Sequence, residues 1–279
     1  MREVDVKEVI QAVKKMCMDA NYYLGDDVLN AIKKYEKTEE SPLGKEILNQ
    51  IIQNADIARN NKMPLCQDTG LVAVFAEVGQ EVHFNDSFNE AIQEGIRQGY
   101  GEGYLRKSVV EDPLRRKNTG DNTPAIITTT LVPGDKVTIT ILPKGGGSEN
   151  MSRIAMLKPG DGETGAKDFI VETIRIAGGN PCPPLIVGVG IGGLFDKVAH
   201  LAKKALLREV GSKHPDPYYA AMEEELLTRI NNTGVGPQGL GGLTTALAVH
   251  IEVHPCHIAS MPVAVNTQCH SARHRTTVI

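Results

Sequence analysis

KVTITILPKGGGSEN, residues 136–150, decides the fold class. Val137, Ile139 and Ile141 alternate with Thr138 and Thr140, the period-two pattern of a strand with one covered face. LVAVFAEV (71–78) and AIITTTLV (125–132) are rich in β-branched residues, and 245–253 alternates again, so several strands are expected. Upstream the period is helical. Val6, Val9, Ile10, Val13, Met16 and Cys17 recur at helical spacing after Asp5, with Glu8 three positions on as in a capping box. A second helix is expected from about Asp27 to Lys37. A third is opened by Ser41 as cap and Pro42 at the first helical position. Further helices fit about 86–99, 165–177, 196–210 and 217–231. No repeat, low-complexity tract or linker interrupts the chain. The expected architecture is α+β over 1–279, a helical N-terminal section followed by mixed β-sheets flanked by helices in a single domain.

The composition narrows the function. With 279 residues and 41% hydrophobic content the chain can bury a substantial core. Its 30 basic and 34 acidic side chains form no block of like charge, which argues against a nucleic-acid or anionic-membrane partner. No apolar run approaches the roughly 20 residues that span a bilayer. The N-terminal MREVDVKEVIQ mixes charge with apolar residues instead of forming a signal core, so a cytoplasmic protein is expected. Five cysteines, an odd number in a long chain, argue against a disulfide framework and for metal or catalytic roles.

Two glycine-rich segments invite a nucleotide reading. PLIVGVGIGG places Gly188, Gly190 and Gly193 in G-x-G-x-x-G spacing, with Glu209 beyond, as in a dinucleotide fingerprint. Such a fingerprint usually opens the first βαβ unit of its domain, and the preceding residues do not read as parallel units. A tight turn allowing close backbone approach is the simpler account. PKGGGSEN lacks P-loop spacing. Its glycines can still turn N–H groups toward an anion such as a carboxylate, with Ser148 adding a hydroxyl, or serve as a strand-to-helix loop.

Cys17 belongs to an apolar helical stripe and is expected in the core. Cys66 in MPLCQDTGLV, Cys182 in GGNPCPP and Cys269 in VNTQCHSARH lie instead in loops at element edges, where ligands are expected. Separations of 116 and 87 residues match neither a zinc finger nor a clustered ferredoxin motif. Dispersed thiolates suit a cubane cluster in which one iron lacks a protein ligand, although three structural cysteines fit the spacing as well. Cys256, between His254 and His257, could join Cys269 or His270 in a zinc site, or simply pack.

PLCQDTG, LRKSVVEDPL, KGGGSEN, GGNPCPP followed by GVGIGG, and HPCHIASMPVAVNTQCHSARH occur in one order over roughly residues 60 to 275. Together they resemble the N-terminal half of class I fumarases and the alpha subunit of the related L(+)-tartrate dehydratases. The resemblance implies a [4Fe–4S] cluster held by Cys66, Cys182 and Cys269. It implies that Gln67, Asp68, Arg106, the backbone around Gly146 and Gly147, and His257 surround a dicarboxylate, with Asp68 and His257 nearest the chemistry. The open iron would act as a Lewis acid on the substrate hydroxyl, and Arg106 would offer a guanidinium fork to a carboxylate. Without the resemblance, Arg106 reads as a surface ion pair with Glu111 or Asp112. Single-chain relatives continue into a second domain that supplies the base, whereas this chain ends at Ile279. A separate beta subunit is therefore expected, with the resemblance implying a heterotetramer. Fumarate/malate is favoured over tartrate as the substrate. The competing functions are an NAD-dependent oxidoreductase using Gly188 to Gly193 and a zinc-stabilised binding module.

Overall fold

A computed structural model describes every residue, 1–279. Its helices are α1 (Val6–Tyr22), α2 (Asp26–Thr38), α3 (Pro42–Asn61), α4 (Phe88–Glu102), α5 (Gly146–Glu149), α6 (Gly162–Ala177), α7 (Phe195–Ala205) and α8 (Pro217–Asn231). Its strands are β1 (Arg2–Val4), β2 (Leu71–Gly79), β3 (Val82–Phe84), β4 (Ile126–Val132), β5 (Val137–Lys144), β6 (Arg153–Leu157), β7 (Leu185–Gly192), β8 (Ala246–His254), β9 (Met261–Gln268) and β10 (Arg275–Val278). The α+β class expected from the sequence is what forms. Two compact units emerge, each discontinuous in sequence: residues 1–24, 55–146 and 273–279, and residues 25–54 and 147–272.

In the first unit a four-stranded sheet runs β10-β5-β2-β4, with β2 antiparallel to β5 and parallel to β4, and β1 pairs with β3 beside it. The alternation that marked β5 works as its period requires: Val137, Ile139 and Ile141 are fully buried against Val9, Val13 and Cys17 of α1 and Ile92 and Ile96 of α4. Asp5 caps α1 by accepting the Lys7 N–H, a simple N-cap instead of the reciprocal box expected with Glu8. Gly95 and Gly99 let α4 approach α1, since a Cβ at Gly95 would stand 2.8 Å from the Ile10 carbonyl oxygen. Cys17 is in this core, as its stripe implied, and burial pushes its thiol pKa up, out of the reactive range.

The second unit is built on the sheet β6-β9-β7-β8, in which β7 is parallel to β8 and antiparallel to β9. Leu185, Val187 and Val189 pack against α6 and α8 on one face. Gly188 and Gly190 face the other way, where a Cβ would stand 2.2 Å from the Ala202 and Val198 carbonyl oxygens of α7. Those two glycines of the apparent dinucleotide fingerprint therefore serve close helix-to-sheet packing, the simpler of the two accounts. No helix is long and apolar enough to cross a membrane.

Candidate active site

In the first unit the site is a turn with an unusually complete set of braces. Cys66 to Gly70 connect the end of α3 to β2, and the Asp68 carboxylate closes the turn by accepting the Gly70 N–H at 3.0 Å through one oxygen. Its other oxygen accepts the Gly146 N–H at 2.7 Å, so the glycine-rich loop does turn an amide toward a carboxylate, that of Asp68. The Thr69 hydroxyl donates to the Arg106 carbonyl at 3.1 Å. The turn formed by the consecutive Cys66, Gln67 and Asp68 is thus met by the backbones of Arg106 and Gly146, which are distant in sequence. The Cys66 sulfur accepts the Asp68 N–H at 3.4 Å and stands 3.3 Å from the Gln67 side-chain oxygen, to which its thiol donates. Gln67, Arg106 and Gly146 are exposed, and Cys66 and Asp68 are half-buried. The ion pair that would have accounted for Arg106 is not formed: Glu111 pairs with Lys117, and Asp112 accepts the N–H groups of Leu114 and Arg115.

Three residues beneath this turn were not legible as functional. The Tyr100 hydroxyl, fully buried, donates to the Thr69 carbonyl at 2.7 Å, and burial raises its pKa so that it remains a donor. Asn122 donates to the Gly70 carbonyl and accepts the Ser108 N–H. Arg273, 1% exposed, donates to the Asp68 carbonyl at 2.6 Å and to the Asn21 side chain at 3.2 Å. A charge buried this deeply is costly, and it is retained here where it fixes a turn carrying polar, exposed side chains.

In the second unit the structure draws two of the predicted cysteines into neighbouring loops. Helix α6 ends on Gly178, in the left-handed region at φ 53°, and the chain turns tightly until the Cys182 N–H reaches the Gly179 carbonyl. Cys182 itself has φ 57° and is exposed. Cys269 follows the last residue of β9. The next residue, His270, donates its backbone N–H to the Cys182 carbonyl and sets its Nδ1 3.0 Å from the same oxygen. Gly147 lies against this loop, its Cβ position 3.6 Å from the Asn180 carbonyl oxygen. His257 is in the exposed 255–260 segment, where its Nδ1 accepts the Ala259 N–H. Cys256 contacts the Ser260 carbonyl and the His254 ring that of Pro255, so these side chains face their own backbone instead of converging as a zinc site would need.

The donor chemistry of Cys66, Cys182 and Cys269 suits an iron–sulfur cluster: all three are free cysteines at element edges and none is fully buried. Next to Cys269, the Gln268 side chain is 1% exposed with neither amide atom bonded, and a buried amide of that kind calls for a polar partner from beyond the polypeptide. No three His, Cys, Asp or Glu side chains stand grouped as a metal site, so the support lies in donor type and loop placement.

Comparison with known proteins identifies the family. The family described as fumarate hydratase (Fumerase) matches residues 10–278. The protein named "Putative L(+)-tartrate dehydratase subunit alpha" from Methanocaldococcus jannaschii is 44% identical over 273 residues, covering 95% of each chain. L(+)-tartrate dehydratase subunit alpha of Escherichia coli K12 is 34% identical over 257 residues, covering 91% of this chain and 85% of its own. The matching region takes in both braced loops and all the cysteines, and the chain belongs to the fumarate hydratase (Fumerase) family of hydro-lyases.

Proposed function

We propose that the chain, as one alpha-subunit domain over 1–279, bears a [4Fe–4S] cluster on Cys66, Cys182 and Cys269 and works with a beta subunit to hydrate fumarate reversibly to malate. The observation that carries this is the turn of Cys66, Gln67 and Asp68, met by the backbones of Arg106 and Gly146 and braced from below. When bound, the cluster supplies a Lewis-acidic iron for loss of the substrate hydroxyl. The rest is the work of this chain's side chains. Arg106 presents a planar fork matched to a dicarboxylate, a geometry lysine does not copy. Gln67 adds an exposed amide for a second carboxylate contact, and His257 a ring nitrogen for the departing hydroxyl. Asp68, with each carboxylate oxygen already accepting a backbone N–H, orients the turn and its neighbours. The exposed backbone around Gly146 and Gly147 completes the proposed surround of the dicarboxylate.

The relatives are named alpha subunits, which supports a beta subunit as the partner; a heterotetramer of two of each is the proposed assembly, and the beta chain supplies the base that takes the C3 proton. Those same names favour a second reading, dehydration of L(+)-tartrate, because the contacts proposed here address groups that both substrates share. Anaerobic preparation of the chain with its beta subunit, assayed for fumarate hydration and tartrate dehydration side by side, decides between them. Turnover of fumarate at the higher kcat/KM supports the first reading, and preference for tartrate replaces it with the second. Turnover of neither would remove the hydro-lyase proposal.

A further inference from the structure

The loop Val235-Gly-Pro-Gln-Gly-Leu-Gly-Gly242 was not singled out by the sequence, yet it lies directly on the Cys182 loop. Gly239 and Gly179 meet backbone to backbone: a Cβ on Gly239 would stand 2.4 Å from the Gly179 Cα. From this loop Gln238 donates twice to the Pro183 carbonyl, through its backbone N–H at 2.9 Å and its side-chain Nε2 at 2.9 Å. The same Nε2 is 3.1 Å from His270 Nδ1. His270 in turn meets the Cys182 carbonyl through its backbone N–H at 3.4 Å and its ring at 3.0 Å. Whichever tautomer the ring adopts, Nδ1 is bonded, as donor to Cys182 or as acceptor from Gln238. The amide and the imidazole thus tie together the residue after Cys182 and the residue after Cys269.

The backbone at Gln238 points the same way. Its φ is 52°, the left-handed region, which a side chain disfavours and glycine adopts freely. Gly236, Gly239, Gly241 and Gly242, its neighbours in the loop, all have positive φ and are all glycine. Position 238 alone among these carries a side chain there, and that side chain makes the contacts just described. Strain of this kind persists where the surrounding structure uses it.

We infer that Gln238 and His270 are positioning residues that hold the Cys182 and Cys269 loops in register for a shared iron–sulfur cluster. They touch neither substrate nor metal and act through the two loop backbones, as outer partners commonly do around metal ligands. The inference rests on the ligand set proposed above.

Gln238→Gly separates this role from simple fold stability, because it removes the amide while relieving the backbone. The full-length wild-type, Gln238→Gly and His270→Leu chains are reconstituted anaerobically with iron and sulfide. Three properties are compared: the melting temperature of each chain before reconstitution, the visible circular dichroism of the loaded chain, and the rate of iron release to a chelator. Gln238→Gly should melt at or above the wild-type temperature, yet show an altered visible dichroism and release iron at least about tenfold faster, the low end of what outer-partner changes produce. His270→Leu should alter the dichroism and the release rate in the same direction. Wild-type dichroism and release within about twofold in both variants would overturn the inference while leaving the cysteine ligand set intact. A lowered melting temperature in Gln238→Gly would also overturn it, by showing that the amide serves the fold. A wild-type chain that takes up no iron and sulfide would instead remove the ligand set, and this inference with it.

Discussion

Glu39 lies far from every predicted site residue in sequence, yet it makes the most heavily bonded carboxylate in the second unit. It is 1% exposed. One oxygen accepts the N–H groups of Glu40, Ser41 and Leu243, and the other those of Leu243 and Thr244 together with the Thr244 hydroxyl. Burial alone would raise its pKa, but the bonds from Thr244, Leu243 and Ser41 outweigh burial and hold it below the ordinary glutamate value. Glu39→Gln keeps the shape and exchanges one acceptor oxygen for a donor. Turned one way, the new amide faces the Thr244 N–H; turned the other, it faces those of Glu40 and Ser41. At least one N–H is orphaned, that of buried Thr244 or those of the part-buried Glu40 and Ser41, costing about 1–3 kcal/mol, and the remaining bonds lose their charge assistance, so a total of about 3–4 kcal/mol is expected. For a chain of this size that corresponds to a fall of roughly 10 °C in the melting temperature, read by circular dichroism at neutral pH. Because the folded pKa is depressed, this stabilisation is present above the unfolded glutamate value and is lost as pH falls through the folded one. The gap between wild type and Glu39→Gln should therefore narrow as the pH is lowered through that window. A variant melting within about 2 °C of wild type at neutral pH would refute the reasoning.

Gly190→Ala should destabilise the second unit by about 3 kcal/mol or more, seen as a lower urea midpoint, because its methyl group meets the Val198 carbonyl and backbone atoms cannot swing aside. Gly101→Ala, in α4 with open space at its Cβ position, is the control and should be neutral or stabilising by about 0.5–1 kcal/mol. Arg273→Met removes the bonds to Asp68 and Asn21 while keeping bulk; it should cost about 2–4 kcal/mol and speed alkylation of Cys66, mapped by mass spectrometry, with Cys256 unchanged. Equal Cys66 rates would show that Arg273 does not brace the turn. Asp68→Asn leaves one acceptor for two amides, Gly70 and Gly146, and should lower kcat/KM of the assembled enzyme about 10–150-fold, the equivalent of one charge-assisted bond; retention of activity within about twofold would refute it.

What the sequence disclosed follows from the range of the interactions involved. Periodicity is local, so β5, α1 and the helices after residue 160 were legible, as was the placement of Cys66, Cys182 and Cys269 at element edges. Strand β9 was not, because its second half, Asn266-Thr267-Gln268, reads as a polar loop. It is buried nonetheless: Asn266 donates to Glu149 and Ser152, and Thr267 to the Ser148 carbonyl. Strands β1, β3 and β10 are only three or four residues long and fall below what alternation can signal. The braces were illegible for a different reason. Glu39 is bonded to a residue 205 positions away, and Arg273 to one equally distant, and only the fold brings such partners together. Arg273 sits within the C-terminal HSARH motif, and the motif by itself discloses neither its burial nor its partners.

The central claim is that three dispersed cysteines carry one iron–sulfur cluster. Anaerobic reconstitution with iron and sulfide, with both quantified and the visible spectrum recorded, tests it directly on the wild-type chain and on Cys66→Ser, Cys182→Ser, Cys269→Ser and Cys256→Ser. About four irons and four sulfides with a broad absorbance near 400 nm, lost in each of the first three variants and kept in Cys256→Ser, is the expected result. A chain that takes up no cluster, or one whose metal depends on Cys256, would contradict it.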